Sequence, residues 1–258
     1  DALAGDFFTK HLSNPLASFA VCTWVPAISV TAVAIVKVLP ALKFAAIGLL
    51  VTNLILWIAC MFVVLRNYRQ LYRHPAYLKQ VHGILLLACV ATESIVIAGN
   101  RVAEAFFPTS ISLALILTGI FFYIVGLVFI VLRYVWLHPG KLVSNWQNSN
   151  CIIHGAMSIT GLAAAVSGVL SANITVVIWL YALAMFITIE CIEVTRAILR
   201  IRHLGWISGL FTYSSSQWSR NFTFGMFLTC TMYLPLRESF LAQSPVLSSI
   251  RSVIIYAG

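Results

Sequence analysis

Apolar runs of about 20 residues recur along the whole chain, and each is long enough as a helix to cross the hydrocarbon core of a bilayer. The chain is 61% hydrophobic and 9% charged, whereas a soluble domain is about half apolar and a quarter charged. The runs are continuous and do not alternate with polar residues, so they do not fit a membrane β-barrel. The sequence therefore predicts an all-α polytopic membrane protein, with one transmembrane domain over residues 1–258.

Proline, glycine and short polar segments divide these runs into eight predicted helices. They lie near residues 18–38, 44–66, 80–99, 109–136, 151–171, 173–200, 219–236 and from 246 onward. Alternate helices begin near positions 18, 80, 151 and 219, and this nearly regular interval predicts a repeated helical hairpin. The chain begins at Asp1 and its last run is too short to cross a bilayer, so we expect a domain incomplete at both ends.

Basic residues are concentrated on one side of the predicted membrane. That side has Lys10, Arg66, Arg69, Arg73, Lys79, Arg133, Lys141, Arg196, Arg200 and Arg202, and the other has Lys37, Lys43, Arg101 and Arg237. The positive-inside rule places the richer side, and with it the N-terminus, in the cytoplasm of a plasma-membrane protein. This topology accounts for the net charge of +9, so nucleic acid is not an expected partner. The six cysteines are scattered without a CxxC pair and are interpreted as packing residues.

The two members of each predicted hairpin differ in composition. Segments 80–99, 151–171 and 219–236 are rich in Gly, Ser, Thr, Ala and His, whereas 44–66, 109–136 and 173–200 are dominated by large apolar residues, as lipid-facing helices are. Small residues allow close contact between helices. They also suit helices that line a water-filled path, and composition alone leaves both interpretations open.

The most informative segment is 217–235, which is apolar enough to enter a membrane but opens on polar residues. Trp218 and Arg220 precede Phe222 and Phe224, which are followed by Gly225, and hydroxyl residues such as Thr229 continue along the segment. A helix that only faced lipid would consist of Leu, Ile and Val. The segment therefore predicts a helix in contact with something polar, with aromatic side chains beside a glycine that leaves them room to move.

Three motifs resemble the tellurite-resistance/dicarboxylate transporter family, which includes the bacterial TehA-like proteins and the plant slow anion channels. The first is Trp218 followed by the Phe-Thr-Phe-Gly sequence of residues 222–225 and by residues 229–231. The second is the 14–19 segment, with Asn-Pro at its start and Ser-Phe at its end, before Pro26. The third is the small-residue helix in 77–99, which follows a Tyr-Leu pair.

The resemblance implies ten helices, arranged as five hairpins around a central pore, usually in a homotrimer. This chain would hold helices three to ten, so the first hairpin would be missing from it. The inner helix of each hairpin would line the pore, and an aromatic side chain on the ninth helix would occlude it. By position that residue is Phe224, with Phe222 as the second choice. The other expected pore-lining or mouth residues are Gly225, Arg220, Thr229, Pro26, His82, His154 and Arg101.

Charged residues within the predicted helices have more than one interpretation. Glu93 is an intramembrane carboxylate, which is costly and by default indicates a functional site. It could be protonated, paired with Arg101, or a proton-coupling group in a symporter. Glu190 and Glu193 are followed by Arg196 and Arg200 at helical spacing, so we expect an interfacial ion-pair cluster there.

His82 and His154 open two of the small-residue helices on the same membrane side, where pore-mouth or headgroup-level positions are the default. Two histidines at matching depth could also ligate a haem b iron. The predicted function is a channel or secondary transporter for small anions, working in a lipid bilayer without a cofactor or a metal. The alternatives are a haem- or quinone-binding subunit of an electron-transfer complex and a non-transporting scaffold. No nucleophile–base pair or phosphate loop indicates an enzyme.

Overall fold

The computed structural model describes residues 14–137, 145–235, 238–240 and 244–257, and every regular element within them is helical. The longer helices are Trp24–Val38 (α1), Lys43–Arg73 (α2), Leu87–Val102 (α3), Thr109–Leu132 (α4), Ile152–Ser167 (α5), Ala172–Leu210 (α6), Trp218–Tyr233 (α7) and Pro245–Ala257 (α8). The predicted all-α fold and all eight predicted helices are confirmed. Several predicted features lie outside the described residues. They are the N-terminus, Lys10, Lys141, Arg237 and the segment 138–140 between two predicted helices.

Six helical segments within the described residues are long and apolar enough to cross a membrane. They are Ala17–Val38, Pro40–Arg73, Gly83–Val102, Thr109–Leu137, Asn148–Ser167 and Ala172–Leu210. Helix α7 is not among them, because its 16 residues include the polar turn at 219–221. Together the spans establish a multi-pass membrane protein.

Two helices extend further than their apolar runs predict. Helix α2 reaches Arg73 instead of residue 66, and α6 reaches Leu210 instead of residue 200. Several basic residues, including Arg69 and Arg202, therefore lie on helices beyond the apolar runs. A helix satisfies its own backbone hydrogen bonds and can continue into the aqueous phase after hydrophobicity ends. Gly205, with φ of 78°, bends the distal part of α6.

Local chemistry explains several helix ends. Helix α2 stops before Pro75, which disfavours a helical conformation in the residue on its N-terminal side. Helix α5 ends at Gly168, which takes the left-handed conformation (φ 65°) that favours glycine. The Ser171 hydroxyl then accepts a hydrogen bond from the Ile174 N–H at the start of α6.

The repeated hairpin predicted from the sequence is visible in the short 3₁₀ turns that precede α1, α3, α5 and α7. These turns begin at positions 17, 83, 148 and 215, so they recur at almost equal intervals along the chain. In the first repeat the two helices run antiparallel, because Asn53 donates to the Val25 carbonyl and the Ser29 hydroxyl, both at 2.9 Å, whereas Asn67, further along α2, donates to Ser18, which precedes α1. The repeat is thus one turn, one inner helix and one outer helix.

Successive odd-numbered helices run parallel and in register. Ser29 of α1 donates to Ser94 of α3 at 3.2 Å, and Thr160 of α5 donates to Glu93 of α3 at 3.3 Å. Cys151 and Ser219 lie 3.4 Å apart at the starts of α5 and α7. The partners in each of these pairs are separated by about one repeat along the chain. Equivalent positions of neighbouring repeats therefore meet, and α1, α3, α5 and α7 form an arc.

Two of the inner helices, α3 and α5, are far more buried than the outer helices, whereas the span of α1 is only 33% buried. In the apolar parts of Gly83–Val102 and Asn148–Ser167, 83% of the residues are buried, against 22% to 33% in the spans of α2, α4 and α6. Large apolar side chains of the outer helices, such as Phe62, Phe121 and Ile187, are exposed and suited to lipid. Five of the six cysteines are buried, in agreement with a packing role, and Cys191 is exposed.

Candidate functional site

A cavity of about 500 Å³ lies on the inner side of the arc and is lined by all four odd-numbered helices. Each helix contributes one stripe of side chains at helical spacing. The stripes are Pro26, Ser29, Val30, Val33, Ala34 and Lys37 on α1, Ser94, Ile97 and Arg101 on α3, Ile159, Leu162 and Val166 on α5, and Phe222, Gly225, Met226, Thr229 and Tyr233 on α7, with Asn221 beside them. The small-residue helices therefore pack closely and also line a cavity.

The wall of this central cavity is mostly apolar in its middle and positively charged at one end. Lys37 and Arg101 lie on the last turns of α1 and α3, at the end opposite to the basic ends of α2, α4 and α6. The Arg101 guanidinium carbon is 5.4 Å from the centre of the Tyr233 ring, a cation–π contact that holds it at the cavity wall. An anion approaching from this end would meet two cations before the apolar section.

The two phenylalanines of α7 lie on different faces of the helix. Phe222 lines the central cavity and is 46% exposed overall, and Gly225 and Thr229 lie one and two turns further along the same stripe. Phe224 is directed away from this stripe and packs against Phe186 of α6, with 5.3 Å between ring centres. The two-residue separation rotates them by about 200° on a helix, so one cavity cannot receive both. The structure therefore places Phe222, and not Phe224, at the cavity.

Arg220 also lies outside the central cavity. Its guanidinium pairs with Glu190 of α6 and lies 5.3 Å from the centre of the Phe224 ring. Arg220, predicted as a pore-lining or mouth residue, forms this pair because the first turn of α7 presents it to α6. The predicted cluster on α6 is confirmed for Glu193 and Arg196, which are 2.8 Å apart, whereas Glu190 pairs across helices.

Glu93 is fully buried but is directed away from the cavity. Its Oε1 accepts a hydrogen bond from Thr160, and Oε2 has no partner among the described residues. A side chain at Gly119 of α4 would place Cβ 2.8 Å from the Glu93 carboxyl carbon, so the glycine makes room for it. The considered pairing with Arg101 is not formed, since Arg101 lies against Tyr233. Glu93 therefore links α3, α4 and α5.

The two candidate haem ligands have separate surroundings. His82 Nδ1 accepts from the Ile84 N–H and lies 2.7 Å from the Ser149 hydroxyl. Burial, with Arg133 nearby, lowers the pKa of His82 to about 4, so the ring is neutral at physiological pH. The fully buried His154 ring lies among three phenylalanine rings, Phe186, Phe224 and Phe227, with centres 5.0 to 6.5 Å away. Neither ring lines the central cavity.

Several cavity residues were missed in the sequence, among them Ser29, Lys37, Met226 and Tyr233. Their signal was present: residues 26, 29, 30, 33, 34 and 37 follow the i, i+3, i+4 pattern of one helix face, as do 222, 225, 226, 229 and 233. The pattern marks a face but does not indicate what that face contacts.

The fold and the cavity define a polytopic α-helical membrane protein. Its inner helices line a mostly apolar cavity with two cations at one end. Residues 3–257 match the family model described as SLAC1, voltage-dependent anion channel, and the chain belongs to that family. No curated protein and no solved structure gives a significant match. Membership confirms the resemblance noted from the sequence motifs. The family consists of anion channels and transporters, which work in a lipid bilayer and are a different class from enzymes.

Proposed function

We propose that the central cavity is the path of a small anion, such as an inorganic monovalent ion, sulfite or a dicarboxylate, and that an aromatic side chain of α7 obstructs it. The observation that carries this proposal is the lining of one cavity by a single stripe from each of the four inner helices. A mostly apolar wall makes an anion shed water, which costs several kcal/mol. The cations at one end offset part of that cost for an approaching anion.

We assign the obstruction to Phe222 because this side chain lines the central cavity. The family resemblance points instead to Phe224. Gly225 follows Phe222 by one turn, and an added Cβ at that position would meet no atom of the described residues within 4 Å. This open space gives the Phe222 ring room to swing aside. The ring contact of Phe224 with Phe186 gives that side chain a packing role instead.

The charge distribution favours a cytoplasmic location for the basic ends of α2, α4 and α6. The described cations at that end include Arg66, Arg69, Arg73, Lys79, Arg133, Arg196, Arg200 and Arg202, against Lys37, Lys43, Arg101 and Arg251 at the other. We therefore place Lys37 and Arg101 at the outer mouth. A plasma-membrane location and a homotrimer remain predictions from charge and from the resemblance.

The test of function is anion efflux from proteoliposomes that contain the purified chain, with chloride, nitrate and sulfite compared. Arg101→Gln should lower the rate about fivefold at low ionic strength and less at high salt, because it removes a charge that concentrates anions at the mouth. Lys43→Gln is the matched control, since Lys43 is exposed at the same end but does not line the cavity. No efflux above empty liposomes would refute the function, and equal losses in both variants would refute this role of Arg101.

Glu93→Gln should leave anion flux within about twofold between pH 6 and pH 8, because Glu93 does not reach the cavity and glutamine retains the oxygen that accepts from Thr160. The measurement is the same efflux assay in the presence and absence of a pH gradient. Flux that depends on the gradient in the native chain and loses this dependence in Glu93→Gln would instead establish the proton-coupling role.

A further inference from the structure

A second cavity, of about 310 Å³, lies at the basic end of the bundle, between the distal part of α6 and the first turn of α7. We call it the basic-end pocket. Its polar wall consists of the side chains of Asn148, Glu193, Arg200, Gln217, Arg220 and Asn221, and Phe224 closes one side. Asn221 lines both this pocket and the central cavity. The two are thus neighbours on either side of α7, and the central path proposed above does not require this pocket.

Both carboxylates near the pocket are engaged by arginines. Glu193 pairs with Arg196 at 2.8 Å, and Arg196 also donates to the Asn148 side-chain oxygen at 3.1 Å. Glu190 pairs with Arg220. These two pairs leave Arg200 as the cation of the pocket that forms no ion pair with a described carboxylate. The cluster of three arginines and two glutamates therefore has a net positive charge.

Two guanidinium donors at the pocket lack acceptors. Nε of Arg200 and Nε of Arg220 are both buried, and neither has a hydrogen-bond partner among the described residues. A buried donor on a charged group that makes no hydrogen bond is costly, and each such group in a folded protein calls for an explanation. Neither atom has accessible surface, so an anion in the pocket would meet the terminal N–H groups of Arg200 and not these two Nε atoms.

The other groups of the pocket suit the same kind of ligand. Gln217 ends the 3₁₀ turn that runs directly into α7, and its side chain makes no capping hydrogen bond with the helix. The side-chain amides of Gln217 and Asn221 add further donors. Guanidinium groups and amides recognise the oxygens of an oxyanion with directional hydrogen bonds. A volume of about 310 Å³ holds a small oxyanion with several waters.

We propose that the basic-end pocket is a binding site for a small inorganic oxyanion of the sulfate type, separate from the central cavity and centred on Arg200. The bound anion accepts hydrogen bonds from the guanidinium group of Arg200 and from the side-chain amides of Gln217 and Asn221. It thereby joins α6 to the helix that carries Phe222. Binding at this site does not depend on transport through the central cavity.

The test is equilibrium dialysis of radiolabelled sulfate against the purified chain in detergent, at constant ionic strength. The native protein should bind sulfate saturably, and Arg200→Gln should weaken the affinity about tenfold, the loss expected for one charge-assisted contact. Arg200→Lys keeps the charge but loses the planar fork, so its affinity should fall between the two. Arg202→Gln should bind as the native chain does, because Arg202 is exposed and does not line the pocket.

Three results would overturn this assignment. If the native protein binds no sulfate, or if Arg200→Gln binds it as strongly as the native protein, the basic-end pocket is not a sulfate site. Binding lost in Arg101→Gln but not in Arg200→Gln moves the anion to the central cavity. Binding abolished when the chain is placed in nanodiscs with phosphatidylglycerol, but not with phosphatidylcholine alone, assigns the pocket to an anionic lipid headgroup. Thermal unfolding of each variant establishes that it is folded. The binding result does not depend on the efflux assay, so a protein without anion flux could still bind sulfate at this site.

Discussion

Phe222→Ala is expected to raise anion flux through the protein about tenfold, since a barrier lowered by ~1.4 kcal/mol accelerates a process by that factor. The ring lies in the central cavity beside Gly225, in a wall that otherwise offers an ion few polar contacts. Removing it widens the apolar section and lets an anion keep more of its hydration. The measurement is chloride and nitrate efflux from proteoliposomes with equal amounts of folded protein.

Phe224→Ala tests which residue obstructs the anion path. The central cavity points to Phe222, whereas the family resemblance points to Phe224. Phe224 lies against Phe186 and under Arg220, so its loss should change flux much less than the loss of Phe222. Phe121→Ala is a neutral control, because Phe121 is exposed on the outer surface of α4. A large increase in flux for Phe224→Ala, with none for Phe222→Ala, would show that ions do not follow the central cavity.

Gly83→Ala is expected to destabilise the fold by roughly 1–3 kcal/mol, the usual cost of forcing an extra methyl group into a packed site. An added Cβ would lie 2.7 Å from the Ser149 carbonyl carbon and 2.8 Å from the Asn150 Cα, so backbone would have to move. The shift would also strain the hydrogen bond from the Gly83 N–H to Asn150 Oδ1, now 2.8 Å long. Thermal unfolding in detergent, followed by tryptophan fluorescence, measures the effect.

Gly48→Ala is the matched control for this substitution. Gly48 lies on α2, and an added Cβ would meet nothing within 4 Å in the part of the chain that the structure describes. Alanine favours a helix over glycine by up to ~1 kcal/mol, so this variant should unfold at the native temperature or slightly above it. Equal melting temperatures for Gly83→Ala and Gly48→Ala would mean that the close approach between the 83–86 and 148–151 turns does not exist.

Much of the fold could be predicted from residues alone, because a bilayer imposes simple local rules. The apolar runs located the helices, and the small-residue runs at 80–99 and 151–171 coincide with the two most buried spans, whereas the similar run at 219–236 is less buried. The predicted ends of α2 and α6 were wrong for one reason. An apolar run marks only the part of a helix that lies in the membrane, whereas capping and backbone conformation determine where the helix ends. Pro75 after α2 and Gly168 after α5 show those local effects.

The site was less predictable, because side chains on opposite faces of a helix are equally compatible with an apolar run. The choice between Phe222 and Phe224, the pairing of Arg220 with Glu190 and the burial of Glu93 against Gly119 all depend on which helix lies next to which face. No spacing within one segment contains that information.

The sequence by itself determined a multi-pass helical protein of the anion-channel family, built from hairpins that repeat at a nearly constant interval. Only the tertiary structure decided that the stripes beginning at Pro26 and Phe222 share one cavity while Arg200 and Arg220 meet in another. The physical reason is that helix formation and membrane insertion depend on residues close together in the chain. A cavity arises from the faces of helices that are distant in the chain, and packing settles how those faces are oriented.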